Sequence, residues 1–200
     1  MELLLITLPS FFDGETDAVN KLLQDGCRRL HLRKPEASRE QTAHWLEQIE
    51  PQFRRRIVLH DHHDLALQYG LCGIHLNSRN PNPLPEGEGM FRVRKPTSSE
   101  EESEGRQVLT ISRSCHSIEE IKSVAKDYDY VFLSPIFDSI SKPGYRAAFT
   151  REELTAVRDI LSQNVYALGG ITFDRLAEVE QLGFAGAAMM GGFWGKITET

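Results

Sequence analysis

Cysteine is scarce: the chain has three in 200 residues. So few, and an odd number, make no disulfide framework and fit a reducing compartment. Basic charge is in deficit, with 23 Lys and Arg against 29 Asp and Glu and a net charge of −6. That balance argues against nucleic acid and against an anionic membrane surface as partners. The one basic cluster, Arg54-Arg55-Arg56, precedes an apolar run without interleaved aromatics and reads as a solvated strand entrance. No apolar stretch is long enough to span a bilayer, and the N-terminus enters a strand-like run with no basic segment or cleavage site. The expectation is a soluble, cytoplasmic protein.

What the chain does have is regular alternation. Its 40% hydrophobic content suffices for one core, so residues 1–200 are expected to form one domain. Strand-like apolar runs occur at Leu3–Ile6, Arg29–Leu32, Ile57–Leu59, Gly73–Leu76, Val108–Ile111, Tyr130–Leu133, Val165–Leu168 and Gly186–Met190. Helix-like segments fill most of the gaps, among them one with Ala18, Val19, Leu22 and Leu23 at helical spacing. Another starts at Ser38, a short one covers Asp64–Leu67, and one runs from about Thr150 to Leu161. Alternating β and α units imply a parallel sheet. Eight strands favour a compact TIM (β/α)₈ barrel over an open doubly wound sheet, although 200 residues is short for a fold of roughly 250. The pattern lapses from Asn80 to Gln107, where Pro81, Pro83, Pro85, Pro96 and an acidic run read as a long mobile loop.

The last two runs end in paired glycines, Gly169-Gly170 and Gly191-Gly192. Glycines at the carboxyl ends of buried strands let backbone N–H groups close on an anion, and barrels commonly hold phosphate in the loops after strands seven and eight. Ser139, Ser141 and Lys142, on the loop after strand six, would supply the third side of that pocket. The other strand ends are rich in polar groups: His31 and Arg33, His60 and Asp61, His75, Ser112, Ser114 and His116, and Ser134. A barrel brings such ends to one rim. The tract His60-Asp61-His62-His63-Asp64 suggests a metal site, but adjacent side chains diverge and no other cluster offers obvious partners. Cys115 beside His116 suggests a thiolate nucleophile, yet neighbours in an extended segment point apart, so an inert thiol is expected.

Taken in order, these motifs resemble the thiamine phosphate synthase and thiazole tautomerase (TenI) superfamily over nearly the whole chain. The carrying residues are His31-Leu32-Arg33, His60-Asp61 with Asp64-Leu65-Ala66, Gly73-Ile74-His75-Leu76, Ser114-Cys115-His116-Ser117, Ser134-Pro135-Ile136-Phe137 with Ser139-Ile140-Ser141-Lys142, Leu168-Gly169-Gly170-Ile171, and Met190-Gly191. The resemblance implies an enzyme of thiamine biosynthesis that binds a thiazole phosphate as its small-molecule partner. Its phosphate would lie against Ser139, Ser141, Lys142, Gly169, Gly170, Gly191 and Gly192, and its ring against His31, Arg33, His60 and Ser114. The family is commonly oligomeric, which leaves a homo-oligomer open.

The chain departs from the synthase pattern where diphosphate is handled. Synthases usually read Gln-x-Arg-x-Lys after strand two, where this chain has His31-x-Arg33-x-Pro35 with Lys34 displaced by one. They read Asn-Asp after strand three, here His60-Asp61, and carry a second magnesium aspartate where Asn80 falls. The leading expectation is therefore a metal-independent thiazole tautomerase with His116 as general acid/base and no cofactor. The alternatives are a divergent thiamine-phosphate synthase with Asp61 as its surviving magnesium ligand, and a non-catalytic binder of thiazole or thiamine phosphates.

Overall fold

A computed structural model describes residues 1–77, 109–138, 144 and 146–198. The expected loop at Asn80–Gln107 and the residues Ser139, Ser141 and Lys142 lie outside the described residues. The elements run β1 (Glu2–Ile6), α1 (Glu15–Gln24), β2 (Leu30–Leu32), α2 (Arg39–Glu47), α3 (Pro51–Arg54), β3 (Ile57–Leu59), α4 (Leu65–Gln68), β4 (Gly73–Leu76) and β5 (Thr110–Cys115). There follow α5 (Ile118–Val124), β6 (Tyr130–Leu133), α6 (Arg151–Thr155), α7 (Arg158–Asn164), β7 (Val165–Ala167), α8 (Leu176–Leu182), β8 (Gly186–Met189) and α9 (Gly191–Thr198). The eight strands close into a barrel in chain order. Each described pairing is parallel, for example His31 opposite Val58, Phe132 opposite Tyr166, and Leu5 opposite Met189. The fold is the expected TIM barrel.

The chain packs as two compact units, Thr7–Ser112 and Met1–Ile6 with Arg113–Thr200. In the first, β2, β3 and β4 are buried at every position, as strands covered on both faces must be. Helix α2 opens with a capping box in which Ser38 Oγ accepts from the Gln41 N–H and Gln41 returns a bond to the Ser38 N–H. Arg54 and Arg56 donate to the backbone carbonyls of Ile49 and Leu23, so this basic cluster ties strand entrances to helices. In the second unit, Leu4, Ile6, Tyr130, Phe132, Tyr166 and Ala188 form one core cluster. Trp194 of α9 is fully buried and its indole N–H donates to the Ile6 carbonyl at 2.7 Å, which fixes the last helix to the first strand.

Two boundaries differ from the sequence reading. Strand β5 runs to Cys115, so Ser112 and Ser114 stand within it. The segment Thr150–Leu161 divides into α6 and α7, because Val157 leaves helical geometry at ψ 19°. Thr150 still caps the start, in a box with Glu153.

Candidate active site

In the unit Thr7–Ser112, three histidines from neighbouring strands meet. His31 on β2, His60 at the end of β3 and His75 on β4 are buried. His31 Nδ1 lies 2.9 Å from His60 Nε2, and the rings of His60 and His75 stack with centroids 4.2 Å apart. His75 Nδ1 lies 2.8 Å from the Ser112 hydroxyl. Burial holds all three imidazoles neutral. It pushes His75 down to about 3 and His31 and His60 well below the usual imidazole range. The charge of Arg33 adds to the effect on His60 and His75.

Of the residues expected to line a ring pocket, His31 and His60 meet, Arg33 is near enough for its charge to act on His60, and His75 and Ser112 join them. Ser114, the fourth expected member, is half-buried on the part of β5 that belongs to the other unit. The sequence neighbours of His60 turn to other partners, in keeping with the divergence of adjacent side chains. His62 contacts the Ala37 carbonyl, His63 contacts the His60 carbonyl, and Asp64 pairs with Arg39 at 2.7 Å. The groups that join His60 stand on other strands, 29 residues before it in the case of His31. Asp61, the candidate magnesium ligand, is half-buried at the end of β3.

Lys34 is not a displaced diphosphate ligand. Its ammonium is buried, donating to Glu15 Oε1 at 2.7 Å and to the Ser10 carbonyl at 2.8 Å. The second oxygen of Glu15 accepts the Trp45 indole N–H at 3.0 Å. The lysine is thus part of a closed buried ion pair.

In the second unit, His116 follows β5 on an exposed turn. Its Nδ1 lies 3.2 Å from the Ser134 carbonyl and 3.3 Å from the Ser134 hydroxyl. Glu120 holds the turn by accepting the His116 backbone N–H at 2.8 Å while pairing with Arg113. Cys115 is fully buried, and burial drives its thiol up to about 12, which disfavours the thiolate form.

The paired glycines are fixed by close backbone packing. Gly170 has φ +63°, and a Cβ there would overlap the Asp138 carbonyl oxygen. The loop is stitched to the end of β6 by Phe137 N–H donating to the Gly169 carbonyl at 3.1 Å. Gly191 and Gly192 form the first turn of α9, where backbone N–H groups lack an intrahelical acceptor. A Cβ on Gly192 would overlap the Ile171 carbonyl oxygen. Gly170→Ala is expected to cost about 1–2 kcal/mol for the left-handed backbone alone, with the overlap adding to it. A thermal melt should fall by at least about 2 °C, and an unchanged melt would show that the loop can shift to accept the methyl group.

Residues 3–193 match the thiamine monophosphate synthase family. The chain belongs to that family. A thiamine-phosphate synthase from Caldivirga maquilingensis is 27% identical over 90% of this chain and 81% of its own length. One from Thioalkalivibrio sulfidiphilus is 29% identical over 94% of this chain and 84% of its own. The crystal structure of a thiamine phosphate pyrophosphorylase from Bacteroides thetaiotaomicron superposes with a TM-score of 0.79. It is 37% identical and matches 98% of this chain and 86% of its own. As a member of the thiamine monophosphate synthase family the protein is an enzyme. The relatives carry the name of the synthase, so the comparisons favour that alternative over the tautomerase.

Proposed function

We propose that the protein is a thiamine-phosphate synthase, joining hydroxymethylpyrimidine diphosphate to thiazole phosphate with expulsion of diphosphate. The observation that carries this reading is the 37% identity, over 98% of the chain, to a solved thiamine phosphate pyrophosphorylase. The thiazole phosphate would rest on the N–H groups of Gly191 and Gly192 at the start of α9 and on the Gly169-Gly170 turn. Ser139, Ser141 and Lys142 would complete that grip. Arg33 supplies positive charge near His60 and His75, and Ser114 is the remaining candidate contact to a ring.

Asp61 fits magnesium, because one carboxylate together with substrate phosphate oxygens is a common donor set for that ion. When bound, magnesium would neutralise charge on the departing diphosphate. Asp61 would hold it from the end of β3, and Arg33 would bear on the same leaving group.

A second reading, thiazole tautomerisation, is favoured by two observations. His116 is exposed and its ring is oriented by Ser134, which suits a general acid/base. Lys34 is also withdrawn into its pair with Glu15 and unavailable to a diphosphate. Incubating the protein with hydroxymethylpyrimidine diphosphate, thiazole phosphate and magnesium, and separately with the thiazole carboxylate phosphate tautomer, discriminates the readings. Thiamine phosphate formation that requires magnesium and is lost in Asp61→Asn supports the synthase. Metal-independent isomerisation that falls about 100-fold or more in His116→Ala overturns it in favour of the tautomerase. Saturable binding of thiazole phosphate with neither turnover would mean a non-catalytic binder.

A further inference from the structure

The histidines of β2, β3 and β4 form a polar knot where three neighbouring strands would otherwise bury apolar side chains. Each contributes one ring nitrogen to a group whose members all lie within 4.8 Å of one another. We propose that His31, His60 and His75 bind one divalent transition-metal ion, with zinc the best match to the set. This inference does not depend on which reaction the enzyme performs.

The donor chemistry sets the class of ion. Imidazole nitrogens suit zinc, cobalt, nickel and copper, whereas magnesium requires oxygen ligands. The site is therefore chemically distinct from the carboxylate of Asp61. Zinc–nitrogen bonds of about 2.0–2.1 Å in a tetrahedron separate neighbouring nitrogens by about 3.4 Å. His31 Nδ1 and His60 Nε2 stand at 2.9 Å, so a modest ring rotation opens the gap. Two neutral imidazoles facing each other share one proton. Ion binding requires that proton to pass to the far nitrogen of its ring, which leaves both facing lone pairs on the metal.

The third ligand is already oriented. The Ser112 oxygen lies 2.8 Å from His75 Nδ1, and its hydroxyl is 3.3 Å from the Ile74 carbonyl. With the hydroxyl turned to Ile74, His75 Nδ1–H donates to Ser112 and the Nε2 lone pair is the one offered to the metal. Hydrogen bonding of the non-ligating nitrogen is the usual support for a metal-bound histidine. Three protein nitrogens leave the fourth position of a zinc tetrahedron open, and the burial of all three rings restricts its occupant to a small ligand such as water.

The test uses the full-length protein, stripped with chelator and titrated with cobalt(II), then with zinc in competition. One cobalt per chain, with the strong visible absorption of a tetrahedral ion and displacement by zinc but not by magnesium, is the expected result. His31→Gln, His60→Asn and His75→Gln should each weaken binding at least about 100-fold, and Ser112→Ala about 10-fold. Failure to bind one ion saturably overturns the proposal, as does undiminished binding in folded triad variants. Should a variant not fold, imidazole ¹⁵N spectra of the unaltered protein decide. Zinc must then perturb His31, His60 and His75, and perturbation confined to the other four of the seven histidines overturns the site.

Discussion

Glu15→Ala is expected to destabilise the protein by about 3–5 kcal/mol, because it leaves the Lys34 ammonium buried without its counter-ion. Both side chains are only 2% exposed, and their closest atoms lie 2.7 Å apart. Burial pushes the Glu15 carboxyl up and the Lys34 ammonium down, while their mutual hydrogen bond and charge oppose both shifts. Glu15 also accepts the Trp45 indole N–H, so the substitution orphans a second buried donor and loosens α2 from α1. A loss of that size is a large share of the 5–15 kcal/mol typical of a folded domain. Urea denaturation of Glu15→Ala, Glu15→Leu, Lys34→Met and the double variant Glu15→Leu/Lys34→Met separates the terms. Each single change should be severe, and the double change should recover much of the loss, because it removes both charges instead of stranding one. Single-variant losses under about 1 kcal/mol would mean that water reaches the pair and screens it.

Mild acid should unfold the metal-free protein. His75 has its pKa depressed to about 3 against an ordinary value of 6.5, and His31 and His60 are depressed in the same direction. Above pH 6.5 neither the folded nor the unfolded chain protonates these rings, and they have no effect on stability. Below it the unfolded chain binds protons that the folded chain refuses, so stability falls as pH drops. The fall continues until the folded pKa is reached, near pH 3 for His75. His75 contributes a slope of about 1.4 kcal/mol per pH unit in that window, and His31 and His60 add to it in the same direction. The charges of Arg29 on His31 and of Arg33 on His60 and His75 act in the same direction as burial. Circular dichroism across a pH series should show cooperative unfolding between about pH 4 and 6. His75→Gln should shift that transition to lower pH. A protein still fully folded at pH 4 would mean that the cluster takes up protons in place.

Much of the architecture was legible along the chain. Parallel strands buried on both faces leave continuous apolar runs, so Ile57–Leu59, Tyr130–Leu133 and Gly186–Met189 could be read directly. Ser38 announced α2 because a cap is a contact within one turn of helix, local in sequence by nature. The glycine pairs were equally plain, since the need for a missing Cβ is written in the residue itself. The break between α6 and α7 was not legible, because the apolar spacing from Thr150 to Leu161 continues across it.

The chain alone determined the barrel and the family, because these follow from local propensity, burial pattern and motif order. Only the tertiary structure decided how its polar residues pair. Lys34 stands one position from where a diphosphate lysine is expected, and nothing nearby in sequence reveals that Glu15, 19 residues earlier, has taken it into a buried pair. His60 lies within a tract of polar neighbours, yet the groups it meets, His31 and His75, come from adjacent strands. Side-chain convergence depends on strand register and on which face each residue presents, and those are set when β2, β3 and β4 pair in three dimensions.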